Sequence, residues 1–202
     1  MAAGRPRTFC TEKALDVALA VFWRKGYEGT SIDDLTEAMG INRPSLYCAY
    51  GNKEQLFRKA LDRYLGGAAE LYGEAIGQAT ARAVAERFLR GMADALTDPG
   101  HPPGCLAVQG ALSCGEAAEA IRRELNARRA AAEASLRDRF ERARAEGDLA
   151  PDEDPADLAR YLATVTQGMA VQAAGGASRD DLRRVVETAL RALPRDGRKS
   201  RR

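Results

Sequence analysis

The stretch SIDDLTEAMGINRP, residues 31–44, starts one helix, stops it and starts another with almost no chain between them. Ser31 has the side chain of a helix N-cap, and Asp34, three residues on, can answer it as the second half of a capping box. Ile32, Leu35 and Met39 fall at i, i+3 and i+7, an apolar face about two turns long. Gly40 stops that run, because glycine takes the left-handed conformation that ends a helix without a Cβ penalty. Asn42 starts the next helix at once, and Pro44 is tolerated in its first turn, where the N–H it lacks would be unsatisfied anyway.

The flanking segments complete the unit. Thr11 can cap a helix through Lys25, with Ala14, Leu15, Ala18, Leu19 and Phe22 on one side and Gly26 placed to end it. The helix from Asn42 ends near Gly51, and Asn52 with Gln55 forms another box, opening a fourth helix with Leu56, Phe57, Ala60, Leu61 and Tyr64 as its stripe. Three short helices, the second and third joined by a tight turn at Gly40, describe a helix-turn-helix.

Beyond Leu65 the pattern changes to longer helices, at about Ala68–Gln78 and Ala81–Leu96, and then breaks at the loop sequence TDPGHPPG. A short helix from about Cys105 to Ser113 and a long one from Glu116 to Glu146 follow, the latter carrying Ile121, Leu125, Ala132, Leu136 and Phe140. Asp154 and Pro155 stand in the order of N-cap and first helical residue, launching a helix to about Ala174. Ser178 with Asp181 boxes the last helix, to Leu193. The expectation is an all-α chain of about nine helices with no strand and a basic, mobile tail, RDGRKSRR.

In a helix-turn-helix the second helix of the pair lies in the major groove and presents its N-terminal residues to base edges. Arg43 is placed to pair with guanine or grip phosphate, Ser45 to bond either, and Pro44 to pack on a thymine methyl. Tyr47 and Tyr50 would bring hydroxyls near the backbone, with Leu46 turned inward. Lys53 opposes the macrodipole of the fourth helix unless an anion sits there, and a helix N-terminus plus lysine is a phosphate site. The competing reading makes the tyrosines core aromatics and the cations solvated surface charges, because helix-turn-helix shapes also occur in proteins that never touch DNA.

Composition limits the other classes. Hydrophobic residues make up 45% and charged residues 30%, a globular balance, and the net charge of +2 makes any nucleic-acid surface a local patch. That charge argues against sequence-indifferent compaction of DNA, which needs a broad basic face. No apolar run approaches the roughly 18 residues that span a bilayer, and MAAGRPRTFC lacks a signal-peptide core, so a cytoplasmic protein without membrane contact is expected. Cys10, Cys48, Cys105 and Cys114 are scattered and expected as thiols. His101, Cys105 and Cys114 suggest a metal or thiol sensor as an alternative, but no close ligand cluster accompanies them, and no metal or cofactor is expected. With one histidine, no nucleophile elbow and no phosphate-binding glycine loop, no catalytic residues are expected.

The residues GTSIDDLTEAMGINRPSLYCAYGNKEQLFRKAL resemble the tetracycline-repressor (TetR) family of bacterial transcription regulators, in register from about Arg7 to Leu65. Phe22, Gly26, Thr30, Ser31, Ile32, Leu35, Ala38, Gly40, the Leu46-Tyr47 pair, Tyr50, Lys53, Leu56 and Phe57 carry the match. Cys48 and Ala49 depart from it, standing where many members have a histidine or an aromatic. The resemblance implies a homodimeric repressor, released from an inverted-repeat operator in double-stranded DNA by a small-molecule inducer. It adds Thr30 and Ser31 as backbone contacts beside Arg43, Pro44, Ser45, Tyr47, Tyr50 and Lys53. Residues 7–52 become the DNA-binding domain, 53–65 a connecting helix, 66–194 the ligand-binding and dimerisation domain, and 195–202 the tail.

Two stripes near the end, Leu158, Tyr161, Leu162, Val165 and Met169, and Leu182, Val185, Val186, Ala189 and Leu193, suit either a monomer core or a four-helix dimer interface. The resemblance decides for the interface, through Leu158, Tyr161, Leu162, Val165, Leu182, Val185, Val186 and Ala189. A ligand pocket is expected among Phe88, Met92, Cys105, Val108, Gln109, Leu112, Gln167 and Met169, mostly apolar with two amides for orientation. The same residues would also serve as an ordinary bundle core.

Overall fold

The computed structural model describes residues 9–112, 115 and 118–193, and of residues 111 and 112 the backbone alone. The basic tail, Cys114, the Leu112 side chain, and the expected helix ends at Ser113 and Glu116 lie outside the described residues. Among the described residues the chain is all-helical: α1 (Thr11–Lys25), α2 (Ile32–Met39), α3 (Arg43–Tyr50), α4 (Lys53–Ile76), α5 (Ala81–Leu96), α6 (Leu106–Leu112), α7 (Glu119–Ala145), α8 (Pro155–Ala174) and α9 (Arg179–Ala192).

The caps are where the sequence puts them. Ser31 Oγ accepts from the Asp34 N–H at 3.0 Å, and Asp34 Oδ2 accepts from the Ser31 N–H at 2.8 Å, closing the box on α2. Gly40 ends α2 at φ +64° in the left-handed region, and Asn42 Oδ1 then accepts from the Ser45 N–H at 2.9 Å to open α3. Asn52 and Gln55 exchange bonds of 2.9 and 3.0 Å at the start of α4. At α1 the expectation fails by one residue: Cys10 is the N-cap, without a side-chain bond, and Thr11 is the first helical residue.

The larger correction concerns α4, which runs unbroken from Lys53 to Ile76 through Gly66 and Gly67. Each glycine costs about 1 kcal/mol in a helix interior. Tertiary packing outweighs that, because apolar residues on both sides of the pair are committed to cores. Upstream, Leu56, Phe57, Ala60 and Leu61 are fully buried in a first cluster with Phe22, Leu35 and Leu46; downstream, Ala75 is buried in a second with Phe88, Leu89, Leu136, Phe140 and Leu162.

These two cores organise the molecule, and the first does not stop at α4. Leu106 and Ala107 of α6 and Ile121 and Leu125 of α7 are buried with it. Polar bonds lie along the same seam, from Arg58 Nε to Glu124 at 2.8 Å and from Arg128 to Asp62 at 2.9 Å. Trp23 of α1 stacks on His101 at 4.5 Å between ring centroids and meets Tyr64 edge-on at 4.7 Å. At the far end of α4, buried Arg139 of α7 donates to the carbonyls of Ile76, Gln78 and Ala79 at 3.1, 2.7 and 3.2 Å. The loop after α5 presses Gly104 against α8, where a Cβ would lie 2.9 Å from the Ala170 carbonyl.

Candidate nucleic-acid interface and ligand cavity

α3 has two unlike faces. Leu46 and Tyr50 point into the first core, whereas Asn42, Arg43, Pro44, Tyr47 and Cys48 are exposed and Ser45 is half-buried. Tyr47 is 48% exposed, a large aromatic that the protomer does not cover. Arg43 is not loose: its Nε and Nη2 donate to Asp33 at the start of α2, at distances from 2.6 to 3.0 Å. On the same side Lys25 donates to Asp34 at 2.6 Å. That bond, with those from Ser31, holds the Asp34 carboxyl at about 2, below its ordinary value of 3.8.

Two expected DNA contacts are corrected by their burial. Tyr50 is 5% exposed and its hydroxyl donates to the Thr11 carbonyl at 2.6 Å, so it fastens α3 to α1 instead of reaching a phosphate. Thr30 is 1% exposed, and its hydroxyl donates to the Gly26 carbonyl at 2.6 Å, locking the turn between α1 and α2. Ser31 is exposed beside it at the α2 N-terminus. Lys53 is half-buried at the start of α4, its ammonium 4.5 Å from the centre of the Tyr27 ring. Burial lowers its pKa, opposed by the charges of Glu28 and Asp34. Asp33, which sequence reading passes over, is the addition; its signal was an acid in the first turn of one helix and a base in the first turn of the next.

A cavity of about 110 Å³ opens between α4, α5, α7 and α8. Phe88, Met92, Cys105, Val108 and Gln167 line it as expected, whereas Gln109 and Met169 do not. Met169 is 1% exposed, packed into the second core, and Gln109 lies against Gly104. Tyr64, Tyr72 and Arg129 also line it and were missed. Tyr72 lies in the second half of α4, beyond the expected break at Leu65, whereas Tyr64 stands on the expected apolar stripe and reads there as core. The Tyr64 hydroxyl donates to Cys105 Sγ at 3.0 Å. Burial pushes the Tyr72 phenol up to about 12 and raises Tyr64 well above its ordinary value, so both are protonated at neutral pH. His101 stacks on Trp23, and no cluster of three metal-ligating side chains occurs among the described residues.

On α8 and α9 the two stripes divide. Leu162, Leu182 and Val186 are at most 1% exposed and belong to the protomer's own core, because α5 and α7 pack over them; they are corrected out of the interface. Leu158 is half-buried against the same core. Tyr161, Val165, Val185 and Ala189 line a groove between the two helices, with Val185 42% exposed. Val171, 49% exposed further along α8, adds to the uncovered apolar surface. No helix among the described residues is long and apolar enough to cross a membrane.

A capped, proline-braced helix offering arginine and tyrosine outward, mounted on a helical bundle with an apolar cavity, is the architecture of a helix-turn-helix regulator. The chain belongs to the tetR family of bacterial regulatory proteins: that family's pattern matches residues 14–60, and the tetracyclin repressor-like C-terminal domain matches residues 77–189. It is 35% identical over 196 residues to the HTH-type transcriptional repressor ComR of Escherichia coli K12, covering 95% of this chain and 92% of ComR. It is 44% identical over 63 residues to the repressor BdcR of the same organism, covering 31% of this chain and 32% of BdcR. Among solved structures, a cysteine mutant of the TetR-family regulator CifR, complexed with 26-base-pair double-strand operator DNA, superposes with a TM-score of 0.89 at 44% identity. That likeness covers 94% of this chain and all of that one.

Proposed function

We propose that this protein represses transcription by binding an inverted-repeat operator as a homodimer and is released when a small molecule enters the cavity beside α4. The exposed face of α3 carries the proposal: Arg43, Pro44, Ser45 and Tyr47 stand outward over a helix that Leu46 and Tyr50 anchor. Arg43 reads a base, while Tyr47, Ser31 at the α2 N-terminus and Lys53 at the α4 N-terminus hold phosphates. The likeness to CifR, solved on its operator duplex, supports the same use of this surface. Two copies joined through the α8–α9 groove put their α3 helices on half-sites about one helical turn, or 34 Å, apart.

The cavity suits a mostly apolar ligand, oriented by the Gln167 amide and the Arg129 guanidinium. Ligand acts through α4, which carries Tyr64 and Tyr72 in the cavity wall and is buried in both cores. Release requires tighter binding to the arrangement with the wrong half-site spacing, because a ligand indifferent to the two shifts nothing. A second reading, release by modification of Cys105, draws on the Tyr64 hydrogen bond to its sulfur. Thiol-blocking reagent that leaves operator affinity unchanged removes it.

Selection of bound sequences from random duplex DNA tests the main reading. An enriched inverted repeat is expected, and Arg43→Ala should relax preference at one base pair per half-site by about 1 to 3 kcal/mol. Equal affinity for selected and random duplexes at the same salt would sink it.

A further inference from the structure

An arginine that reads a base has to present one edge of a flat guanidinium, and holding a long exposed side chain in that pose costs rotamer entropy. Arg43 is 59% exposed, yet it is held across the corner between α2 and α3. Asp33 Oδ1 accepts from Nε at 3.0 Å and from Nη2 at 2.6 Å, and Oδ2 accepts from Nη2 at 2.7 Å. The carboxylate therefore occupies the Nε side of the guanidinium. Nη1, at the other end of the fork, has no protein partner among the described residues.

Ordinary reasons for an acid at this place are weak. An exposed ion pair contributes about 0 to 1 kcal/mol to stability. The α2 N-terminus already has its carboxylate in Asp34, which completes the capping box and pairs with Lys25. Asp33 is 71% exposed on the face that the proposed function turns to DNA, where a negative charge opposes binding to every sequence. What it supplies in return is the plane of Arg43.

We propose that Asp33 is a positioning residue for base reading: it fixes the Arg43 guanidinium so that the Nη1 edge meets the base, and sequence discrimination at that base pair depends on a side chain that touches no base. The inference rests on Arg43 reading a base, as above. The test measures affinities of the full chain and of Arg43→Ala, Asp33→Ala and Asp33→Asn for duplexes carrying each base pair in turn, and for random duplex, at one salt concentration, with circular dichroism to confirm folding. Asp33→Ala should flatten preference at the same base pair as Arg43→Ala, lowering discrimination there by about threefold to tenfold, a part of what a bidentate base contact supplies. Its affinity for random duplex should hold or rise. Asp33→Asn removes the same charge but keeps an acceptor, so it should retain more discrimination than Asp33→Ala, which a purely electrostatic role would not produce. Undiminished discrimination by Asp33→Ala, or loss at a different base pair, overturns the inference while leaving Arg43 as a reader. A variant Arg43→Ala that flattens no position overturns the reading of Arg43 itself, and the inference with it.

Discussion

Side chains of one type do opposite work on α3. Tyr47 and Tyr50 are three residues apart, and both were plausible phosphate contacts; the structure buries one and exposes the other. Tyr50→Phe should lower stability by about 1 kcal/mol, the ordinary worth of a hydrogen bond, and leave operator affinity of the folded protein unchanged. Tyr47→Ala should leave the urea midpoint where it is and weaken operator binding several-fold. Both variants weakening DNA binding equally would refute the division. Asp34 gives a pH test at the same scale. Its folded-state value of about 2 lies below its ordinary 3.8, so the bonds from Lys25 and Ser31 contribute fully above that ordinary value and are lost as pH falls through about 2. The stability lost by Asp34→Asn at neutral pH should therefore shrink towards zero across that window in thermal unfolding; a difference flat with pH would show that the carboxylate charge is not what holds the box. Capping was legible here because an N-cap is a local event spanning four residues. Burial of Thr30 and Tyr50 was not, because it depends on carbonyls of Gly26 and Thr11 that only the folded corner brings near.

Among the elements, α4 separates what periodicity can and cannot reveal. Its first half was plain from Leu56, Phe57, Ala60, Leu61 and Tyr64, but the glycine pair at 66 and 67 masked its continuation, and with it Tyr72 in the cavity wall. Local propensity says stop; two cores pulling on either side say continue. Buried Arg139 pins the C-terminal end, its guanidinium covering the last α4 carbonyl, of Ile76, and those of Gln78 and Ala79 in the turn beyond it. A cation is also favoured there by the helix macrodipole. Arg139→Met keeps the bulk and removes the donors, so it should cost about 2 kcal/mol or more in urea unfolding, as a buried charge-assisted bond would. An unchanged midpoint would mean that water replaces the guanidinium at no cost. With that end fixed, the ligand-driven displacement of α4 proposed above would be felt at the other end, where Asn52 opens the helix just beyond α3.

At the scale of the whole molecule, the dimer proposed above depends on how the α8 and α9 stripes divide. Each stripe contains residues for two jobs: Leu162, Leu182 and Val186 hold the protomer together, and Tyr161, Val165 and Val185 line the groove it leaves open. Periodicity could not divide them, since both sets fall on one broad apolar arc, and only the position of α5 and α7 determines which are covered. The two sets predict different failures. Val185→Glu puts a charge on the groove without opening the core, so circular dichroism and the protomer's fold should be unchanged while sedimentation equilibrium shifts towards monomer. Operator binding should then fall far more than affinity for a single half-site, because the second half-site is no longer held at high effective concentration. Leu162→Ala should instead destabilise the fold by about 2 to 5 kcal/mol, as a cavity in a packed core does, and any loss of dimer should follow that unfolding. If Val185→Glu remains a dimer with full operator affinity, the groove between α8 and α9 is not the contact, and the spacing of the two reading helices has to come from another face of the molecule.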